Sequence, residues 1–469
     1  RGRAERPPPV GATVRGPSTH FEVWAPVAAA VELVLGEPGP DERAVPMAST
    51  TTPGRWAVDV ASDAAGHGTP YRFRLDGGEP LADPASRWQP AGVHGPSAVT
   101  DPARFRWTDG AWRGVELADA VLYELHVGTF TRDGTFDAAA GELDRVADLG
   151  ITLVELMPVN AVPGARNWGY DGVFVCAVQA SYGGPEGLAR FVDAAHARGV
   201  GVVLDVVYNH LGPEGNVLPR YGPYLTDATR TPWGDAINVA GPGSDEVRNL
   251  FVQSATQWVE DFHVDGLRLD AIDAVVDQTA RPFLAELTTT VRAAAAAAGR
   301  RAQVVAESAS NDPRVLRSDG AGGFGFDAMW NDDVHHSLRV GLLGDRRGYY
   351  CDYDGAGDLA TALAERWVFT GRYSEYRGRR HGRSADGVDH RQLVVFSANH
   401  DQIGNTPDGQ RPPFDRARRL VAAATVVLSP FTPMLFMGDE YADPAPFPFF
   451  VDHSDPALLD ATRAGRAEE

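Results

Sequence analysis

The sequence predicts a (β/α)8 TIM barrel that follows a small immunoglobulin-like β-sandwich. From about residue 108 onward, eight short apolar runs alternate with helical patterns, which is the element order of a parallel barrel. Before that point, apolar and polar residues alternate in short runs separated by Gly and Pro, as in antiparallel sheets. The chain has 469 residues, which exceeds the size of one ordinary core and fits a barrel with an added module.

We divide the chain into three parts. Residues 1–20 are rich in Pro, Gly and Arg and predict a flexible lead, and residues 21–107 predict the sandwich. Residues 108–469 predict the catalytic barrel, with a Gly- and Pro-rich excursion at 209–243 after the third strand, where a lid would cover a site. The expected sandwich strands are 21–24, 31–35, 56–60 and 71–75.

The barrel strands are predicted from apolar runs, and the helices from the 3.6-residue period between them. The eight expected strands are 121–127, 151–157, 201–207, 266–270, 303–307, 326–330, 393–397 and 434–437. The expected helices are 136–149, 186–198, 245–262, 281–298, 358–367 and 416–428, with a weaker candidate at 456–469.

Polar residues follow every one of these apolar runs. A buried strand has no reason to end in an unpaired carboxylate, because its desolvation costs several kcal/mol. The carboxyl ends of barrel strands meet at one face, so these residues predict a shared polar pocket there. Several carboxylates around a pocket suit glycosidic bond cleavage, which needs a nucleophile and a proton donor. The strand-end residues are His126, Glu155, Asp205, Asp270, Glu307, Asp332, His400 with Asp401, and Asp439.

Composition narrows the classes of partner. The net charge of −20 argues against binding to nucleic acid or to an anionic membrane, and it suits a neutral substrate. Two cysteines do not make a disulfide framework, and neither a signal peptide nor a transmembrane run is seen, so we expect a cytoplasmic protein.

Four motifs carry a resemblance to the α-amylase superfamily of retaining α-glucan hydrolases and transferases. They are Asp205-Val-Val-Tyr-Asn-His210, Gly266-Leu-Arg-Leu-Asp270, the segment around Glu307, and Asn399-His-Asp401. Further segments resemble one family within it, the malto-oligosyltrehalose trehalohydrolases, over nearly the whole chain. They are residues 21–26, 123–130, 168–172, 221–224, 241–246, 330–336 and 399–405.

The resemblance implies roles for the three acids of these motifs. Asp270 would be the nucleophile, held ionised by Arg268 two residues earlier on the same strand face. Glu307 would be the acid/base, since burial raises a carboxyl pKa as a proton donor requires. Asp401 would stabilise the oxocarbenium-like transition state through sugar hydroxyls. The structural alternatives are an Arg–Asp pair for Asp270 and a strand-end cap for Glu307.

The resemblance also implies substrate-binding residues. His210 and His400 would bind the same sugar, Asp205 would orient Arg268 or contact substrate, and Tyr170 would stack on a sugar ring unless it only packs. The candidates for the product-side subsites are Trp330, Asp332, Asp333 and His335, with a loop anchored by its own hydrogen bonds as the alternative.

The expected function is hydrolysis of the α-1,4 bond next to the terminal trehalose of malto-oligosyltrehalose, so the expected partner is an α-1,4-glucan with a trehalose end. No cofactor and no metal are implied. A branching enzyme and a non-catalytic glucan-binding protein on the same fold are the alternatives. Two positions depart from the family pattern: Asp273 replaces an expected His, and Met437-Gly-Asp-Glu440 replaces a Gly-Glu-Glu. We also expect the printed sequence to end before the family's C-terminal β-sandwich.

Overall fold

The computed structural model describes residues 8–468 and opens with two antiparallel sheets packed face to face. Phe21 of the first sheet meets Tyr71 of the second edge to face, with ring centroids 5.1 Å apart. The predicted sandwich is therefore confirmed. In spatial order the first sheet contains Gly11–Arg15, Ser18–Trp24, Arg55–Ala61 and Ala48–Ser49. The second contains Arg43–Pro46, Val31–Leu35, Pro70–Leu75 and Pro80–Leu81, with Ser97–Ala98 also paired to Pro70–Leu75.

The sandwich begins earlier than the sequence predicted. Gly11–Arg15 pairs with Ser18–Trp24 in register Gly11↔Glu22, and Ala12 is buried in the core. A flexible lead was therefore the wrong prediction for these residues, because the Gly16-Pro17 turn folds an apolar edge strand back onto the sheet. Residues 1–7 of the predicted lead lie outside the described residues.

Eight parallel strands follow and close into a barrel in chain order, which confirms the predicted fold class. The strands are shorter than the apolar runs, since the polar residues at their ends already belong to the connecting loops. They are Leu122–Leu125, Leu153–Leu156, Gly201–Val206, Gly266–Leu269, Gln303–Ala306, Ala328–Trp330, Leu393–Val395 and Thr432–Phe436.

The helices lie outside the barrel and differ from prediction in two places. The predicted helix 136–149 is divided into Phe136–Ala140 and Leu143–Asp148 around Gly141. The segment Asp332–Leu343, for which no helix was predicted and which contains three of the four product-side candidates, is a helix that buries Val334 and Leu338. The remaining longer helices are Gly184–His196, Ser244–Asp261, Phe283–Ala297, Ala356–Glu365, Arg416–Leu428 and Pro456–Glu468.

Three hairpins project from the loops of the barrel. Leu225–Thr231 with Gly234–Ile237 occupies the predicted excursion after the third strand, next to the short helix Leu218–Tyr221. Asn160–Ala161 pairs with Phe174–Val178, and Thr370–Ser374 pairs with Arg379–Gly382. The first of these hairpins contributes a residue to the site described below.

Buried ion pairs join the sandwich to the barrel. Arg55 is only 1% exposed and contacts Glu22 of its own sheet at 2.8 Å and Glu246 of the helix Ser244–Asp261 at 2.6 Å. Gln253 of that helix exchanges two hydrogen bonds, each of 2.9 Å, with the backbone of Val10. Among residues 8–468, no helix is both long enough and apolar enough to span a bilayer.

Candidate active site

The barrel interior has an apolar floor with a polar layer above it. The floor contains Leu122, Leu153 and Val203, each of which is followed two residues later by an inward-facing acid. Those acids are Glu124, Glu155 and Asp205, and Arg268 on the next strand pairs in register with Asp205. Because the floor fills the barrel below, the polar layer faces the carboxyl ends of the strands.

Arg268 is the centre of the polar layer. Its Nη1 lies 2.6 Å from Asp205 Oδ2 and 3.0 Å from Asp270 Oδ1, and its Nη2 lies 2.7 Å from Glu307 Oε2. The guanidinium also lies over the ring of Trp330, 4.1 Å from its centroid. One fully buried cation therefore contacts three carboxyl groups, among them both proposed catalytic acids.

Asp270 follows the fourth barrel strand and is held from two sides. Asn209 Nδ2 donates to Asp270 Oδ2 at 2.7 Å, and Arg268 contacts the other oxygen. Burial raises the pKa of Asp270, while Arg268 and the Asn209 hydrogen bond oppose that rise. Since both oxygens accept from donors, the geometry suits the ionised carboxylate that a nucleophile requires.

Glu307 follows the fifth strand and faces Asp270. The backbone N–H of Ala271 donates to Glu307 Oε2 at 2.9 Å, and Ala271 adopts a left-handed conformation with φ of 39°. Burial and the charge of Asp270 raise the pKa of Glu307, whereas Arg268 lowers it. A carboxyl group with a raised pKa next to a nucleophile can hold a proton for the leaving group.

Asp401 and His400 begin a short helix after the seventh strand. The side chain of Asn399 caps this helix by accepting from the Asp401 N–H. His400 Nε2 lies 3.5 Å from Asp401 Oδ1 and 2.8 Å from the hydroxyl of Tyr170. Tyr170 in turn donates to Asp205 Oδ2 at 2.6 Å, so the residues predicted to bind the first sugar lie together.

His210 lies at the rim of the same pocket. Its Nε2 donates to the backbone carbonyl of Tyr170 at 3.0 Å, and its ring stacks on Trp233 with centroids 4.8 Å apart. Trp233 lies at the turn of the hairpin Leu225–Ile237 and is 51% exposed. The excursion therefore presents an exposed aromatic ring over a predicted sugar-binding residue.

The predicted product-side residues have different surroundings. Trp330 is buried beneath Arg268, and His335 has no exposed surface and contacts Ser397 O and the Tyr350 hydroxyl. Asp333 accepts from Tyr353 and from the backbone N–H of Val368, each at 2.6 Å. These three are held in internal contacts.

Asp332 begins the helix and differs from them. It has one long contact, 3.4 Å, with Gln402. Burial and the charges of Glu307 and Asp401 raise the pKa of Asp332 to about 7. Asp332 is therefore a member of this group whose pKa responds to the charges of Glu307 and Asp401, two of the proposed catalytic acids.

Sequence reasoning missed several residues of the site. Glu124 and Asn209 lie within quoted motifs, but only their contacts with His400 and Asp270 reveal their roles. Trp233 belongs to none of the quoted motifs, and the sequence indicated only that it lies in the excursion at 209–243. Asp273, which departs from the family pattern, accepts from Ser308 Oγ at 2.8 Å and from Ala309 N, and so anchors the segment after Glu307. The described residues contain no cluster of His, Cys, Asp or Glu that could hold a metal ion.

Comparison with protein families identifies both parts of the chain. Residues 9–89 match carbohydrate-binding module 48, the isoamylase N-terminal domain. Residues 101–221 match the alpha amylase catalytic domain. These matches agree with the boundary between sandwich and barrel seen in the fold.

Similar proteins share most of the chain. A malto-oligosyltrehalose trehalohydrolase of Arthrobacter ramosus is 47% identical over 453 residues, which are 96% of this chain and 78% of the relative. A crystal structure described as an alpha amylase from Salmonella typhimurium superposes with a TM-score of 0.90 at 38% identity, covering 98% of this chain and 77% of that one. A 1,4-alpha-glucan branching enzyme of Ralstonia nicotianae is 33% identical over 68% of this chain and 47% of its own length.

Proposed function

This chain belongs to the malto-oligosyltrehalose trehalohydrolases of the α-amylase superfamily, and we propose how its pocket cleaves the α-1,4 bond next to a terminal trehalose. The protein is a glycoside hydrolase that acts on malto-oligosyltrehalose. The observation that carries the mechanism is that Asp270 and Glu307 contact the same guanidinium from adjacent strands. This arrangement supplies one ionised and one protonated carboxyl group at a single bond.

We infer a retaining double displacement. Asp270 attacks the anomeric carbon while Glu307 gives its proton to the leaving oxygen, which forms a glycosyl ester on Asp270. Glu307 then takes a proton from water as the water attacks the same carbon, and the ester bond breaks to free the sugar and the Asp270 carboxylate. Both carboxyl groups contact the guanidinium of Arg268, and besides burial the charge of Asp270 contributes to the raised pKa of Glu307, which supports a short separation between the two groups. A retaining pair is about 5–5.5 Å apart, whereas an inverting pair needs roughly 6.5–9.5 Å to admit a water.

The other residues bind the sugar whose bond is cut. Asp401 faces the site with a half-buried carboxylate and would accept hydroxyls of that sugar, with His400, His210 and Tyr170 around it. Arg268, itself paired with Asp205, would keep Asp270 ionised from the barrel side of the pocket. Trp233 would meet the apolar face of a glucose ring on the rim.

Trehalose specificity would come from the start of the helix Asp332–Leu343, where Asp332 is the first residue. Trehalose is bent at its α,α-1,1 linkage, so a second glucose joined in this way occupies space that a maltosyl unit does not fill. A buried hydrogen-bonding group that only this glucose satisfies would favour its transition state. Asp332 is the best placed member of the predicted product-side group, because the other three are held in internal contacts.

Product analysis tests the function. The protein is incubated with maltopentaosyl-trehalose and, separately, with maltohexaose, and the products are resolved by chromatography. Free trehalose and maltopentaose from the first substrate, with much slower cleavage of the second, are expected. Longer glucans with new branch points would instead identify the branching activity of the more distant relative.

We propose that this enzyme acts in the cytoplasm. Cys176 and Cys351 are both free, which suits a reducing compartment.

A further inference from the structure

Glu124 is a buried acid that the mechanism above does not use. It lies on the first barrel strand and is 1% exposed. Its Oε2 accepts from the backbone N–H of His400 at 3.1 Å, and its Oε1 lies 2.5 Å from His400 Nδ1. Both oxygens of one carboxylate are therefore directed at a single residue of the sugar-binding group. An acid that accepts twice from one histidine fixes where that histidine can carry protons.

The hydrogen-bond geometry around His400 fits one protonation state. Glu124 accepts from the backbone N–H of His400 on Oε2, and as a carboxylate it also accepts from Nδ1, which then carries a proton. On the other side, Tyr170 donates its proton to Asp205 Oδ2, which already accepts from Arg268 Nη1 at 2.6 Å. The Tyr170 oxygen is left to accept from His400 Nε2 at 2.8 Å. Both ring nitrogens then donate, and the ring is an imidazolium.

We propose that Glu124 is a positioning residue that holds His400 as a doubly protonated cation, oriented with its Nε2–H toward Tyr170 and Asp401. The site then has two fixed cations, Arg268 for Asp270 and His400 for Asp401. The imidazolium keeps Asp401 ionised while it binds the sugar in the transition state. This role rests on the proposed function, because Glu124 acts on the reaction only through the position and charge of His400.

The net effect of the charges around His400 supports this assignment. Burial lowers the pKa of His400, but the charges of Glu124 and Asp401 outweigh it and raise the pKa to about 10. Arg268 from the fourth strand acts in the opposite direction. The other titratable groups that interact with His400 are His126, Glu155 and Asp205, with Tyr170 in direct contact.

Glu155 shows why Glu124 is the acid that matters. The two residues are cross-strand neighbours at the same level of the barrel. Glu155 is fully buried, yet neither of its oxygens has a hydrogen-bond partner in the part of the chain that the structure describes. Burial and the charge of Glu124 raise the pKa of Glu155 well above its usual range, so it stays a neutral acid. A variant at Glu155 is therefore a matched control for one at Glu124.

The test is Glu124→Gln, with Glu155→Gln as the control. The amide replaces one of the two accepting oxygens by a donating NH2 group, so the backbone N–H and Nδ1–H of His400 no longer each meet an acceptor. In protein with 15N-labelled histidines, His400 should show two ring protons from pH 6 to 8 in the wild type and in Glu155→Gln. It should show one at pH 8 in Glu124→Gln. His400→Gln assigns the signal by removing it.

Activity gives a second readout. In Glu124→Gln, kcat/KM on malto-oligosyltrehalose should fall about tenfold or more at pH 8 and less than about threefold at pH 5.5, where His400 regains its proton. A His400 that keeps both protons at pH 8 in Glu124→Gln would overturn the proposal, as would a single ring proton in the wild type. An activity loss equal at both pH values would make Glu124 structural. The ring-proton measurement needs no turnover, so it stands even if the proposed reaction fails.

Discussion

At the scale of single residues, the charge of Arg268 is divided among Asp205, Asp270 and Glu307. Each acid accepts from one further donor, but the donors are placed differently. Asp270 accepts from Arg268 on Oδ1 and from Asn209 on Oδ2. On Glu307, in contrast, the contact with Arg268 and the hydrogen bond from the Ala271 N–H share the same oxygen, Oε2. Donors on both oxygens favour the ionised form, whereas donors on one oxygen leave the other able to carry a proton. This difference supports the proposed roles of Asp270 as nucleophile and Glu307 as acid.

The first prediction concerns these two acids. Asp270→Asn should lower kcat by at least about a thousandfold with little change in thermal unfolding, because an amide keeps the shape but cannot attack. Glu307→Gln should lose about 10²–10⁴-fold on malto-oligosyltrehalose, the usual contribution of a general acid. On a glycosyl fluoride, whose leaving group needs no proton, Glu307→Gln should form a glycosyl-enzyme that mass spectrometry detects.

These outcomes are specific to the assigned roles. If Glu307→Gln kept its activity on the natural substrate within about tenfold of the wild type, which is roughly 1.4 kcal/mol, Glu307 would not be the acid.

The protonation of Asp270 and Glu307 sets the pH dependence of kcat. The pKa of Glu307 is raised, so the protonated form survives into weakly acidic solution, and kcat should fall as pH rises through that pKa.

At the scale of elements, the helix Asp332–Leu343 could not be predicted from local sequence patterns. The sequence predicted product-side subsites among its polar residues and no helix, since Asp332, Asp333, His335 and His336 are residue types that are seldom fully buried. The structure buries Asp333, His335 and His336 because partners from other elements satisfy them, such as Tyr353 and Ser397. Those partners lie 20 and 62 residues away in the chain, beyond any local pattern.

The second prediction separates two neighbours on that helix. Asp332→Ala should lower kcat/KM at least about tenfold for malto-oligosyltrehalose and less than about threefold for plain malto-oligosaccharides, because it removes a group that meets only the 1,1-linked glucose. Asp333→Ala should instead destabilise the fold by about 3 kcal/mol, since Asn311, Tyr353 and Val368 lose their acceptor. Steady-state kinetics on both substrates and urea unfolding measure the two effects. Equal kinetic losses of Asp332→Ala on both substrates would show that Asp332 does not set specificity.

At the scale of the whole molecule, the predicted architecture is confirmed because it follows from local patterns, and the roles of the three acids stay predictions that rest on their motifs. Eight apolar runs ending in polar residues locate both the barrel strands and the face where Asp270, Glu307 and Asp401 meet. What the sequence could not predict depends on contacts between distant segments. Trp233 reaches His210 only because a hairpin folds over the rim, and Gly11–Arg15 became a strand only by pairing. The buried ion pairs of Arg55, which join the sandwich to the barrel, also depend on contacts between distant segments.

The third prediction addresses these ion pairs. Arg55→Met leaves Glu22 and Glu246 buried without their cation, and breaking a buried ion pair in this way costs about 3–5 kcal/mol. Arg74→Met is the matched control in the same sandwich, since Arg74 and Glu32 form a more exposed pair worth at most about 1 kcal/mol. In calorimetry, Arg55→Met should separate the unfolding of the sandwich from that of the barrel, whereas Arg74→Met should leave the wild-type profile. Burial raises the pKa of Glu22, but hydrogen bonds from His20 and Arg55 outweigh it and lower the pKa. The wild type therefore loses this stabilisation as the pH falls toward 4, and the gap between the variants should narrow. Identical profiles for both variants would mean that the apolar contacts alone hold the sandwich to the barrel.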